Sequence, residues 1–113
     1  MARKTVGNAV TISNITSNGE SQVFDMTDYE SGLFQCKVTF NGSYSNESIT
    51  LKLYHSVDGS DWEDTGSSLT FTNADGEVKS FIFTAHNAKY KIKYTVGGSS
   101  PNYTVVIKPV LKF

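Results

Sequence analysis

Cysteine is nearly absent: Cys36 is the only one in 113 residues. A lone cysteine excludes an internal disulfide and any multi-cysteine metal site. Stability must then come from a well-filled core or from assembly with other subunits. Alanine and leucine are scarce as well, five of each against 14 Ser and 12 Thr. A chain so short of the best helix formers does not build a helical bundle. No run approaches the roughly 18 consecutive apolar residues of a membrane helix. No apolar segment follows the cations Arg3 and Lys4, so a secretory signal is not expected. The Asn-x-Ser/Thr sequons at Asn14, Asn41, Asn46 and Asn102 then read as a product of composition, not as glycan sites. Nucleophile-elbow and phosphate-cradling glycine patterns are missing too, and His55 and His86 stand apart from other metal-ligating residues. No enzymatic activity and no cofactor are expected.

What is present is period-2 alternation from one end to the other. Val10 and Ile12 mark a first strand, and Ser21 to Met26 a second. Leu33 to Phe40 sets Phe34, Cys36, Val38 and Phe40 on one side. There a small buried hydrophobe is the ordinary reading of Cys36. Ser48 to Val57 follows, with Ile49, Leu51, Leu53 and Val57 inward, then Ser67 to Thr72 and Glu77 to Ala85. Lys89, Lys91 and Lys93 alternate with Tyr90, Ile92 and Tyr94, and Tyr103 to Phe113 closes the chain with Pro109 near its end. A proline removes a ladder donor, which suggests an edge or a bulge there. Seven to eight strands at such spacings predict an all-β fold, an antiparallel sandwich, with a small barrel as runner-up. Residues 1–7 are expected to form a flexible N-terminal arm, and 8–113 a single sandwich domain.

Charge is segregated along the chain. All 11 acidic residues fall between Glu20 and Glu77, opposed there only by Lys37 and Lys52, while residues 78–113 carry six lysines and no acid. The stripe Lys89, Lys91 and Lys93 is a candidate contact surface, as are Arg3 and Lys4. With near-neutral net charge, and no aromatics expected on the lysine side, the stripe reads as an edge guard, and nucleic acid is not an expected partner. The segment Asp58-Gly-Ser-Asp-Trp-Glu-Asp64 packs four acids into seven residues. It lacks the ligand series of an EF-hand, so a turn stabilised by its own Asp side chains is expected, and no metal. A split in sequence need not be a split in space, because late strands can lie beside acidic ones.

Ser56-Val-Asp58-Gly59-Ser-Asp61-Trp62 fits Ser-x-Asp-Gly-x-x-Trp, and Asn73-Ala-Asp-Gly76 and Ala88-Lys-Tyr-Lys-Ile-Lys-Tyr94 follow it. This order resembles the small immunoglobulin-like or jelly-roll-like β-sandwich proteins of tailed-bacteriophage virions. It is also similar to a discoidin signature, but discoidin domains are longer, secreted and disulfide-closed. The phage resemblance implies a structural virion protein of capsid-decorating or head-auxiliary type, assembled in the host bacterial cytoplasm. Its implied partner is the major capsid protein or another virion protein, with no membrane involved, and a homo-oligomer is expected. The alternative is a carbohydrate-binding module, with a glycan held by loops bearing Tyr44, Asp58, Asp61 and Trp62. In either reading Trp62 is expected to fold back over the end of the sandwich.

Overall fold

The computed structural model describes residues 4–26, 31–42, 47–72, 75–84 and 89–112. Arg3, Tyr44 and His86 lie outside them. Ten strands form: β1 (Lys4–Val6), β2 (Val10–Ile15), β3 (Gly19–Glu20), β4 (Phe24–Asp25), β5 (Ser31–Phe40), β6 (Ser48–Ser56), β7 (Glu63–Thr72), β8 (Asp75–Thr84), β9 (Lys89–Gly97) and β10 (Tyr103–Lys112). All pairings are antiparallel, and the strands divide into two sheets.

In the first sheet β1 and β2 lie end to end along β10, followed by β5 and β8; in the second β3 and β4 lie end to end along β9, followed by β6 and β7. Ten segments therefore occupy eight strand positions. Position by position the chain changes sheet at every connection except the β6–β7 hairpin. That is the double Greek key of a jelly roll, and the open edges exclude a closed barrel. Lys4–Val6, expected within the N-terminal arm, pair with Val110–Lys112 of β10.

The inward positions are filled as the alternation predicts. Phe34, Cys36, Val38, Ile49, Leu51, Phe71, Tyr103 and Ile107 are fully buried. Phe34 sits at the centre of an aromatic cluster, its ring centroid 5.0 Å from Phe24 and from Phe83 and 6.2 Å from Tyr90. Two expectations fail. Val57 is exposed, because β6 ends at Ser56 and the chain turns there. Pro109 lies on an interior strand, not an edge: β10 has β5 on one side and β1 and β2 on the other. Gly7 donates its N–H to the Pro109 carbonyl at 2.9 Å. A residue of an antiparallel ladder turns its N–H and C=O the same way, so the missing proline donor faces the gap between β1 and β2, where no ladder bond is lost.

Candidate functional site

The outer face of the β9 sheet gathers most of the residues singled out in the sequence. Asp58 organises the turn that follows β6. Its Oδ1 accepts the N–H groups of Ser60 at 2.8 Å and Asp61 at 3.1 Å, and the Ser56 hydroxyl at 3.0 Å. Ser56 Oγ in turn accepts the Gly59 N–H at 2.9 Å. Gly59 has φ +82°, and a Cβ there would meet the Lys89 side chain at 3.0 Å. The backbone donors of Ser60 and then Asp61, with the Ser56 hydroxyl, hold the Asp58 carboxyl below its ordinary 3.8. The Asp-rich segment is thus a turn tied by its own carboxylate. Among the described residues no His, Cys, Asp and Glu cluster suits a metal ion.

This turn carries Trp62 onto the sheet face, not over the end of the sandwich. Trp62 Nε1 donates to the Gly59 carbonyl at 3.1 Å. Lys91 Nζ lies 4.4 Å from the indole ring and 2.9 Å from Glu20 Oε2. One row away, Lys93 Nζ lies 4.3 Å from the Tyr54 ring. Lys89 pairs with Asp25 at 3.3 Å, and Lys52 reaches Asp64 at 4.0 Å. Aromatics do interleave with the lysines, contrary to expectation: they come from β6 and its turn, not from β9 itself. The edge-guard reading of the stripe fails as well, since β9 is flanked on both sides. The acidic first half and the basic second half of the chain meet here, through pairs 64 and 71 residues apart in sequence.

The outer face of the other sheet escaped sequence reasoning. Pairing places Ile82, Leu33 and Val110 in one row, and Val78, Lys37 and Val106 in another, with Lys108 between them. No acid occupies these rows or the row of Lys108 between them. Only the strand order could have shown it, because its residues come from three separated strands.

Tyr44 lies outside the described residues, so Trp62 is the aromatic of that pair that the structure places. Glu47 leads into β6 at Ser48, whereas the Trp62 turn leaves it at Ser56, the far end of a nine-residue strand. At about 3.3 Å per residue these ends are roughly 26 Å apart. Beside Ser48 an open cleft of about 530 Å³ is lined by Thr16, Phe40, Asn41, Ser100 and Asn102, among others. Behind it the buried Glu47 accepts the Ser100 N–H at 3.3 Å. The recess at Trp62 is smaller, about 240 Å³.

No family model and no curated protein sequence matches this chain. Solved structures share its fold. The PBSX exported protein XepA superposes with a TM-score of 0.58 at 14% identity, over 96% of this chain. The chain spans only 36% of XepA. The SPBc2 prophage-derived protein YomS matches with a TM-score of 0.52 and 18% identity, over 100% of this chain and 96% of YomS. A protein of Bacillus endospore appendages, which form disulfide-linked pili, matches with a TM-score of 0.50 at 11% identity, over 99% of this chain and 87% of its own. At such identities the likeness establishes the β-sandwich fold and nothing finer.

Proposed function

We propose that this protein is a non-enzymatic structural component of a tailed-bacteriophage virion, decorating the capsid or forming the base of a head fibre through protein–protein contacts. The observation that carries this reading is the match of a whole jelly roll, end to end, to a prophage-derived protein of nearly the same extent. The partner is the major capsid protein or another virion protein. The contact residues are Arg3, Lys4, Lys89, Lys91 and Lys93. Because Lys89 and Lys91 already hold Asp25 and Glu20, their share in docking is small. Mass spectrometry of gradient-purified virions of the phage that encodes the chain is the test. Copies in a fixed ratio to the capsid protein are expected, and absence from purified particles refutes the reading.

The carbohydrate alternative is less favoured because the Trp62 ring already carries the Lys91 ammonium. A sugar stacking on that face has to displace a cation. A glycan array with Trp62→Ala as control tests this reading, and Trp62-dependent binding is the result that would revive it.

A further inference from the structure

Three of the four sheet edges are interrupted along their length, and the fourth, β8, only at its start, where the register shifts at Gly76 with φ +72°. β1 and β2 break at residues 7–9, and β2 bulges again at Asn14, which has φ +55°. β3 and β4 break around Ser21, whose Oγ takes the Ile92 N–H at 2.9 Å in place of a ladder carbonyl. β7 bulges where Lys52 pairs with Ser68 but Tyr54 with Asp64. Gly66 at φ +90° turns the bulge, and the Asp64 carboxylate accepts the Gly66 N–H at 2.8 Å. Such breaks are how natural sheets keep their edges from pairing with other chains.

β8 has no such device from Glu77 to Thr84. It pairs with β5 residue for residue over that stretch, and among the described residues no strand pairs with its other side. The same strand carries two of the four exposed large hydrophobics among the described residues, Val78 at 47% and Ile82 at 77% exposure. An inward-pointing charge on an edge strand can block pairing, but Lys79 is drawn back into its own chain. Its Nζ donates to the Thr70 carbonyl at 2.7 Å, lies 3.5 Å from Glu77 and 5.0 Å from the Phe71 ring centroid.

We propose that β8 is a pairing edge for a second copy of this chain, the two strands running antiparallel about a two-fold axis at Ser80. The strand is self-complementary in that register. Val78 of each copy faces Ile82 of the other, Glu77 faces Phe83, and Lys79 faces Phe81, so no like charges are directly opposed. The apolar row Val110–Leu33–Ile82 then continues into Val78 of the second copy. Two sheets of four strand positions join into one of eight, within the usual range for open sheets. A contact related by a two-fold uses the same patch twice and closes as a dimer. The inference does not depend on the virion reading.

Sedimentation velocity over a wide concentration range, together with a crosslinking pair, tests it. The chain should sediment as a dimer of 12.4 kDa subunits. The variant V78K/I82K, altered only at exposed positions and checked for an unchanged melting temperature, should sediment as a monomer. Val57→Lys, on the equally exposed residue of the β6–β7 turn, should leave the dimer intact. Ser80→Cys places one thiol of each copy on the axis and should oxidise to a covalent dimer much faster than Thr70→Cys. A monomer at every concentration overturns the proposal. So does a dimer that V78K/I82K leaves unchanged, or equal oxidation rates for the two cysteine variants.

Discussion

Lys91 is where the Trp62 turn is fastened to the sheet, and replacing it separates a structural indole from a ligand-facing one. Its side chain is only 11% exposed, between the Trp62 ring at 4.4 Å and Glu20 at 2.9 Å. Lys91→Met keeps most of the aliphatic stem and removes the charge. A cation over an indole contributes about 0.5–1 kcal/mol at exposed sites and about 2 when desolvated, so about 1 suits a well-covered ammonium on a ring that stays part-exposed. Glu20 is half exposed, and solvent screening holds its ion pair to about 0.5 kcal/mol. The variant should therefore lose about 1.5 kcal/mol in urea unfolding, or roughly 6 °C in melting temperature for a domain near 100 residues. A double-mutant cycle with Trp62→Leu isolates the cation–ring share, expected to be about 1 kcal/mol. Coupling below about 0.3 kcal/mol is indistinguishable from additivity and would refute the reasoning. Emission from the sole tryptophan offers a second readout: it should change in Lys91→Met and stay constant in Lys108→Met on the opposite sheet.

Phe34→Ala opens the centre of the aromatic cluster and should cost about 3–5 kcal/mol in urea unfolding, a large share of the roughly 5–15 kcal/mol that holds a domain together. Burial pushes the Cys36 thiol up to about 12. Native protein should therefore leave a thiol reagent unreacted and be labelled only as fast as it unfolds. The folded-state pKa of Asp58 is depressed, so its contribution to stability is complete above the unfolded value near 4 and is lost as pH falls through the lower folded value. Unfolding midpoints of wild type and Asp58→Ala should accordingly converge on acidification below about pH 4 and stay apart at neutral pH. If attachment to a capsid has an electrostatic part, K37E/K108E should weaken co-sedimentation more than K89Q/K91Q, which should show mainly in urea unfolding.

The sandwich was legible because inward positions alternate so cleanly in Leu33–Phe40 and Tyr103–Ile107. Each strand there has one face to bury, and a shift of one residue would turn that whole face outward. Short edge strands were harder. Ser21 to Met26 read as one strand, but Ser21 replaces a ladder carbonyl with its own hydroxyl, and the pairing falls instead on Gly19–Glu20 and Phe24–Asp25 either side of it. Such a substitution depends on where Ile92 lies, 71 residues away. The same limit applied to the candidate site. Asp58 and Trp62 were visible as a turn and a large aromatic, and their local bonds follow from spacing alone. That Trp62 meets Lys91 depends on which strands are neighbours. Periodicity is silent on that.

Strand order also accounts for the charge segregation. A jelly roll lays the first two strand positions against the last two: β1 and β2 on β10, β3 and β4 on β9. Acids near the N-terminus and lysines near the C-terminus are therefore neighbours in space, and Glu20 and Asp25 neutralise Lys91 and Lys89. Lys37 and Lys108 fall in rows of the first sheet that carry no acid, and they remain as positive charge in those rows. Segregation in sequence has become neutrality on the face with the most lysines and a modest positive field on the face with fewer. The same face ends in the β8 edge, unbroken from Glu77 to Thr84. Its charge, its apolar row and its open backbone all lie on the outside of one sheet, and the opposite sheet has spent its charges on holding its own turn in place.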